Sequence, residues 1–200
     1  MSKQIKILCI TNRHLCTQDY LAQVGQIARS CPQAVIVREK DLAEEEYEKL
    51  AGKVMKVCAQ YQVPCILHTY VEAAVRLGAE AVHLPLPVLL SLAKEQKSCF
   101  LVRGASVHSP EEAVLAQAAG ATYLTAGHVF ATDCKRGVPP RGLSFLREVC
   151  AATKLPVYAL GGIHAENAAA CIQAGAQGVC IMSECMQRTD WSGGFTGWNV

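Results

Sequence analysis

Eight short apolar segments, each followed by a segment of helical character, recur along this 200-residue chain. The segments form continuous runs rich in β-branched residues, which is typical of parallel strands buried on both faces. They span residues 5–11, 34–38, 63–68, 81–84, 100–107, 122–127, 157–161 and 179–183. An open, doubly wound sheet would show the same alternation. Eight strands within about 180 residues, with no glycine-rich turn after the first strand, favour a closed (β/α)8 TIM barrel in a single domain.

Capping residues and glycines mark several helix ends. An amphipathic pattern predicts a helix over residues 42–61, with Asp41 as its N-cap and Glu44 three residues later. Ser109, followed by Pro110 and Glu112, predicts a second helix start. Three helical segments are followed by a glycine able to take the left-handed conformation that ends a helix. These glycines are Gly78, Gly120 and Gly175.

Composition limits the classes of function. The formal net charge of +2 is too small to indicate a nucleic-acid or membrane surface. The apolar run at residues 7–10 is too short for a signal peptide, and no stretch reaches the roughly 18 apolar residues of a membrane span. The chain has eleven cysteines and no CxxC pair, which indicates a reducing compartment in which most of them are small, buried apolar residues. Cys134, in a polar loop, is the exception. We therefore expect a cytoplasmic protein.

The barrel is expected to occupy about residues 5–186 of a single domain over 1–200, leaving residues 187–200 as an irregular tail. The tail contains few helix-forming residues, so the eighth helix should be short or missing. Its aromatic residues, Trp191, Phe195 and Trp198, could cover the exposed seam of the barrel. A second subunit of a homodimer covering that seam, or a frayed tail, are the alternatives.

Polar residues gather at the predicted carboxyl ends of the strands, where barrel enzymes carry their chemistry. The set is rich in cations and hydrogen-bond donors and contains almost no carboxylate. Such a site suits an anion and is poorly equipped for Mg²⁺, which prefers oxygen ligands. No metal or other cofactor is expected. The set comprises Thr11, Arg38, Lys40, His68, Thr69, Ser106, His108, His128, Gly161, Gly162 and Ser183.

Two segments near the end of the chain predict a phosphate cradle. Gly161 and Gly162 follow the seventh strand, and Met182 and Ser183 follow the eighth. Exposed backbone N–H groups at a helix start bind phosphate, and glycine permits close approach. A strand-to-helix turn that needs glycine for its backbone alone would show the same Gly-Gly pair.

The loop after the sixth strand, residues 127–137, is the most distinctive segment, and loops of this length in a compact barrel usually bind a ligand. His128 lies where the strand ends, and Lys135 and Arg136 could close over an anion. His83, inside a strand, is interpreted as a hydrogen-bonded core histidine. His108 precedes a helix cap and is a weaker candidate for a base.

Together these features resemble the thiamin phosphate synthase/TenI superfamily over roughly residues 5–186. The segments that carry the resemblance are Val37-Arg38-Glu39-Lys40, Ala81-Val82-His83-Leu84, residues 104–109, the loop at 127–137 and Leu160-Gly161-Gly162-Ile163. The resemblance implies a barrel, a role in thiamin biosynthesis and a phosphorylated thiazole as the small-molecule partner.

Departures from the synthase pattern point to one branch. Where synthases carry Asn-Asp-Arg, with an Asp that serves Mg²⁺ and pyrophosphate, this chain has His68-Thr69-Tyr70; a second metal Asp is replaced within Pro85-Leu86-Pro87-Val88. TenI-type thiazole tautomerases carry His, as this chain does at His128, where synthases have Pro. We therefore expect a tautomerase in which His128, as acid–base catalyst, moves one proton of a carboxythiazole phosphate and makes the ring aromatic.

Resemblance assigns the other site residues by their matching positions. Arg38, Lys40, Ser106, Thr132 and Lys135 match family positions that bind substrate phosphates or neighbouring groups. The resemblance also implies a phosphate site at strands seven and eight, where Gly161, Gly162, Met182 and Ser183 lie. Two alternatives remain: a Mg²⁺-dependent thiamin phosphate synthase, or a non-catalytic barrel that binds phosphorylated thiazole as a regulator. A sugar-phosphate epimerase would need paired catalytic Asp residues, which the sequence lacks.

Overall fold

The structure, a computed structural model, describes residues 4–199 and shows a closed barrel of parallel strands in sequential order. Each strand falls within two residues of the predicted apolar run. β1 closes the barrel by pairing with both neighbours, since Leu8 lies opposite Ala34 in β2 and Cys180 in β8. The strands are β1 (Lys6–Ile10), β2 (Ala34–Val37), β3 (Cys65–His68), β4 (Ala81–Pro85), β5 (Val102–Val107), β6 (Tyr123–Gly127), β7 (Val157–Leu160) and β8 (Gly178–Ile181). The predicted TIM barrel is confirmed.

Helices lie outside the strands and alternate with them. They are α1 (Tyr20–Arg29), α2 (Glu44–Gln60), α3 (Val71–Arg76), α4 (Leu86–Ser91), α5 (Lys94–Ser98), α6 (Pro110–Ala118), α7 (Gly142–Ala152), α8 (Ala165–Gln173) and α9 (Ser183–Gln187). The helix after the eighth strand, α9, has five residues and is short, as predicted. No helix of residues 4–199 has both the length and the apolar character to cross a bilayer.

Most of the predicted helix ends are present. The Ser109 hydroxyl accepts a hydrogen bond from the Glu112 N–H at 3.2 Å at the start of α6, and Pro110 is the first residue of that helix. Gly78, Gly120 and Gly175 have φ angles of 64°, 91° and 104°, which is the left-handed conformation that ends a helix.

Asp41 does not cap α2, so this prediction is wrong. The N-cap residue of α2 is Ala43, without a side-chain hydrogen bond. Instead the Asp41 carboxylate accepts a hydrogen bond of 2.7 Å from Arg13 and lies 2.9 Å from the His14 Nε2. The Arg13 guanidinium lowers the pKa of Asp41. A charged hydrogen-bonded partner stabilises a carboxylate more than a neutral N–H does, so Asp41 turns away from the helix.

Two packed layers form the core. One lies between the strands and the surrounding helices, and Tyr47, Phe100 and Leu146 are among its large buried side chains. The other fills the inside of the barrel and consists of Leu8, Ile10, Ala34, Ile36, Ile66, Ala81, Tyr123, Tyr158 and Cys180. The barrel is thus packed solid below its mouth, and a substrate can bind only at an end of the strands.

The tail after α9 packs against the barrel. Trp191, Phe195 and Trp198 are buried, with their rings in edge-to-face contact. The Ile5 N–H donates to the Trp198 carbonyl at 2.9 Å, which ties the tail to the start of the first strand. Gln23 of α1 donates to the Arg188 carbonyl at 2.8 Å. The tail therefore covers α1 and the seam beside β1.

Candidate functional site at the carboxyl end of the barrel

Three cationic residues follow the carboxyl ends of β2 and β6. Arg38 and Lys40 follow β2, and Lys135 lies in a short 3-10 helix of the loop after β6. Partial desolvation, then the charges of Arg38 and Lys135, lower the pKa of the Lys40 amine, although much of its side chain is exposed. None of the three forms an ion pair within the described residues 4–199. Mutually repelling cations without a partner make this place attractive to an anion.

A buried hydrogen-bond network lies below these cations. His83 Nδ1 is 2.9 Å from the Tyr123 hydroxyl, and His83 Nε2 is 2.9 Å from the Ser106 hydroxyl and 3.2 Å from that of Thr125. Burial lowers the pKa of His83 to about 3, so the ring is neutral at ordinary pH. The network fixes the Ser106 hydroxyl, which is half-buried at the mouth. His83 is a hydrogen-bonded core histidine, as the sequence predicted.

His68 stacks beside His83 at the end of β3. The ring centroids are 5.7 Å apart, and the His68 Nδ1 is 2.6 Å from the Thr69 hydroxyl. Burial lowers the pKa of His68 to about 2, and the unfavourable interaction of two protonated rings at His68 and His83 and the charges of Lys40 and Arg38 act in the same direction. A neutral imidazole pair therefore forms the floor beneath the cations.

His128 is buried at the base of its loop. Its Nε2 lies 3.3 Å from the Val138 carbonyl, and its own carbonyl accepts from the Arg141 N–H at 3.0 Å. Two further backbone bonds, from Val129 to the Leu160 carbonyl and from Phe130 to the Gly161 carbonyl, fasten the start of the loop to β7 and the turn after it. The imidazole thus connects the two ends of the loop that carries Thr132 and Lys135. Neither of these two side chains is buried.

Glycines after β7 let this loop approach closely. Gly161 and Gly162 have φ angles of 103° and 63°, and a Cβ on them would lie 2.4 Å from the His128 Cβ and 2.2 Å from the Ala131 carbonyl oxygen, respectively. Glycine is thus required at both positions, because of the positive φ angle and because a side chain would collide with the loop after β6. The N–H groups of Gly162 and Ile163 donate no hydrogen bond within residues 4–199. They remain available to an anion.

The residues after β8 complete the ring of strand ends. Met182 is the N-cap residue of α9 and Ser183 is its first residue, and both are half-buried. The carbonyls of Ile181 and Met182 accept from the Cys185 thiol at 3.4 and 3.2 Å. Because Leu160 in β7 lies opposite Cys180 in β8, the short helix and the Gly161–Gly162 turn follow neighbouring strand ends.

Three carboxylates around the mouth are already engaged by the protein. Glu39, which sequence reasoning named only as part of a motif, is buried and accepts from the Thr11 hydroxyl at 2.8 Å and the Arg13 N–H at 3.0 Å. Asp41 binds Arg13, and Asp133 binds Arg136 at 3.1 Å. In the part of the chain that the structure describes, no group of three His, Cys, Asp or Glu side chains is placed to hold a metal ion. The donor set, imidazoles and cations in place of free carboxylates, does not fit Mg²⁺.

A cavity of about 380 Å³ lies at the opposite end of the strands, lined by Lys6, Lys154 and Gln177 among others. It is open and lies where β1, β7 and β8 begin. Since barrel enzymes place their chemistry at the carboxyl ends, we assign the site to the cationic mouth and not to this cavity.

The fold and the mouth define a TIM barrel with a cationic, hydroxyl-lined site suited to a phosphorylated small molecule. Residues 7–185 match the family described as thiamine monophosphate synthase, and the chain belongs to that family.

Several relatives and one solved structure carry the same kind of name. Thiamine-phosphate synthase 2 from Streptococcus pneumoniae serotype 4 is 30% identical over 190 residues, which cover 93% of this chain and 90% of that protein. Thiamine-phosphate synthase from Pyrococcus horikoshii is 31% identical over 189 residues, 94% of this chain and 90% of that protein. The structure of thiamine phosphate pyrophosphorylase from Pyrococcus furiosus has a TM-score of 0.82 at 28% identity and covers 97% of this chain and 93% of that chain.

These names overturn the expected tautomerase, isomerase class and TenI branch. The similarity extends over nine-tenths of the relatives, whereas the TenI-type prediction rested on the two missing metal carboxylates and on the residues around His128. The histidine at position 128 also has a structural role, because it binds the Val138 carbonyl of its own loop and packs against Gly161. The synthase alternative is the better supported one.

Sequence reasoning missed the residues that support the site from below. Tyr123 and Thr125 were read only as strand residues, yet both bind His83. Alternation along β6 could have indicated Tyr123 and Thr125 as inward-facing, since residues two apart on a strand share a face. The pairing of β6 with β5 and of β5 with β4, which brings them to His83, cannot be recognised from the residues of β6 alone.

Proposed function

We propose that this chain is a transferase that joins a pyrimidine carrying a diphosphate ester to a phosphorylated thiazole and releases diphosphate, forming thiamine phosphate. The observation that carries the proposal is the unpaired cation cluster of Arg38, Lys40 and Lys135, in a chain that aligns almost end to end with proteins named as thiamine-phosphate synthases. A diphosphate leaving group needs such charge stabilisation as the bond to carbon breaks.

Bond changes in this reaction need no proton transfer. The thiazole nitrogen donates its electron pair to the pyrimidine methylene carbon and becomes a cationic ring nitrogen. The carbon–oxygen bond breaks, and the diphosphate leaves with that electron pair. Arg38, Lys40 and Lys135 then face growing negative charge, so their attraction is stronger in the transition state than in the bound substrate.

The thiazole phosphate is assigned to the turn after β7 and the start of α9. The free N–H groups of Gly162 and Ile163, with the Ser183 hydroxyl, would bind its phosphate oxygens. Met182, the N-cap residue of α9, is assigned to the same phosphate site. With one anion at β7–β8 and the other at β2 and the loop after β6, the two reacting groups meet across the mouth, and this orientation removes much of the entropic barrier.

Ser106 and Thr132 are assigned to polar contacts with the substrate, and His128 to positioning. The Ser106 hydroxyl is fixed by His83 at 2.9 Å, which leaves it oriented before the substrate binds. His128 holds the loop that carries Thr132 and Lys135 through its bond to the Val138 carbonyl. It acts through Lys135 in this proposal and does not exchange a proton with the substrate.

The experiment is a coupling assay with purified protein, the pyrimidine diphosphate, the thiazole phosphate and Mg²⁺ in the buffer. Thiamine phosphate is measured by chromatography, and the pneumococcal relative run alongside serves as the positive control. We expect product, and its loss in Arg38→Ala but not in Lys53→Ala, a change on the exposed face of α2. Tight binding of the thiazole phosphate without product, while the control protein turns over, would contradict the proposal and favour a binding protein.

A further inference from the structure

The proposed synthase reaction, on which the identity of the anion below depends, releases diphosphate at the mouth. The leaving diphosphate is a multiply charged anion, and its charge must be balanced by a bound cation or by the protein. In synthases with the Asn-Asp-Arg pattern, a carboxylate serves that cation. This chain has Thr69 at the position of that Asp, with its hydroxyl on the His68 Nδ1 at 2.6 Å.

Carboxylates that could replace it are each bound by the protein. Both oxygens of Glu39 face Arg13 and Thr11, at 2.8–3.3 Å. Four further acidic groups near the strand ends have partners of their own: Asp41 with Arg13 and His14, Glu112 with the His108 N–H, Asp133 with Arg136, and Glu184 with His164. Recruiting any of them for a metal would break a charge-assisted hydrogen bond.

Side chains that do face the mouth have the opposite charge. Arg38 and Lys40 follow β2, Lys135 lies in the loop after β6, and after burial the charges of Arg38 and Lys135 contribute to the lowered pKa of Lys40. A divalent cation entering this group would be repelled by three like charges, whereas an anion would relieve their mutual repulsion.

We propose that the mouth binds diphosphate directly through Arg38, Lys40 and Lys135, with no divalent cation bridging the anion to the protein. The identity of the anion rests on the proposed synthase function, whereas the independence from metal rests on the side chains alone. Arg38 supplies a planar fork that can hold two oxygens at once, and the two lysines neutralise the remaining charge.

The probe is inorganic pyrophosphate, titrated calorimetrically into the purified protein, once with EDTA and once with Mg²⁺. We expect binding in EDTA. Mg²⁺ should leave the apparent affinity unchanged or lower it, because free Mg²⁺ competes with the protein for the anion. A bridging ion would raise the affinity.

Variants locate the binding. Lys40→Ala and Lys135→Ala should each weaken pyrophosphate binding by about 10- to 100-fold, as loss of a charged hydrogen bond does. Lys53→Ala should bind like wild type. Circular dichroism shows whether each variant is folded, and Lys40→Gln repeats the charge loss with a side chain of similar length.

Three outcomes overturn the inference. They are binding that needs Mg²⁺ or is tighter with it, no binding under either condition, and binding in EDTA that none of the mouth variants weakens. The first would leave the proposed synthase activity standing, since coupling with Mg²⁺ in the buffer is measured separately. If the protein binds pyrophosphate without metal but gives no product in the coupling assay, the proposed reaction is contradicted and the proposed anion site is not.

Discussion

His83 and Tyr123 are hydrogen bonded at 2.9 Å across a strand that separates them. His83 in β4 pairs with Gly104 in β5, and Gly104 pairs with Tyr123 in β6, so the three residues form one row inside the barrel. The two rings meet over the glycine. A Cβ there would lie 2.2 Å from the Tyr123 ring and 2.4 Å from the His83 Nδ1, so any side chain would separate the pair.

Replacing this glycine should therefore destabilise the fold. We expect Gly104→Ala to lower the free energy of unfolding by about 2–4 kcal/mol, from overpacking and a strained buried hydrogen bond. Gly25→Ala is the matched control, since Gly25 is helical and its Cβ would have its nearest neighbour at 3.9 Å. That control should be neutral or gain up to about 1 kcal/mol. Equal denaturation midpoints for the two variants would contradict the row described here.

Buried histidines should make stability depend on pH in a set direction. Burial lowers the pKa of His83 to about 3 and that of His68 to about 2, against about 6.5 in an unfolded chain. Between these values the unfolded chain binds more protons than the folded one. The stability from each neutral ring is thus complete above about pH 6.5 and falls by up to about 1.4 kcal/mol per pH unit as the pH drops toward 3.

Urea unfolding at several pH values between 7.5 and 4.5 measures this dependence. His83→Gln removes one of the two titrating groups, so its stability should fall less steeply than that of wild type as the pH decreases. Carboxylates contribute equally to both proteins and cancel in the comparison. Parallel curves for the two proteins would show that His83 is charged in the folded state.

Loop positioning by His128 can be separated from chemistry. We expect His128→Ala to raise KM for the pyrimidine diphosphate by about two- to tenfold, the value of one neutral hydrogen bond, with a smaller effect on kcat. His128→Gln, whose amide can still donate to the Val138 carbonyl, should restore part of the affinity. Trypsin should cleave faster after Lys135 in the alanine variant. A collapse of kcat with unchanged KM in both variants would instead make the imidazole a participant in the reaction.

Those features of the fold could be predicted from sequence whose cause lies within a few residues along the chain. The strands were placed within two residues because apolar runs buried on both faces leave a direct signal. The start of α6 followed from Ser109 and Pro110 for the same reason. Asp41 was misassigned because its partner, Arg13, lies 28 residues away and outcompetes a local cap.

At the site, sequence indicated the strand ends and hence Arg38, Lys135 and His128, but not what lies between them. The row of His83, Gly104 and Tyr123 depends on the register of three strands, which a single sequence does not specify where the strands lack polar alternation. The functional branch was misread because two missing metal carboxylates and the histidine at position 128 outweighed similarity spread along the whole chain. Nothing in the residue type of His128 distinguishes a base from a side chain that anchors a loop.

The tail should contribute to stability as a part of the core. Trp198 is buried, contacts the Phe195 ring edge-on at a centroid distance of 6.5 Å, and accepts the Ile5 N–H through its carbonyl. We expect Trp198→Ala to cost about 3–5 kcal/mol, as large-to-small changes in a packed core do. Ser192→Ala, on the exposed side of the same tail, should change stability by less than about 0.5 kcal/mol. Chemical denaturation followed by tryptophan fluorescence and circular dichroism measures both. If the two variants unfold at the same denaturant concentration, the seam beside β1 is stable without the tail, and its aromatic residues are not part of the cooperative core.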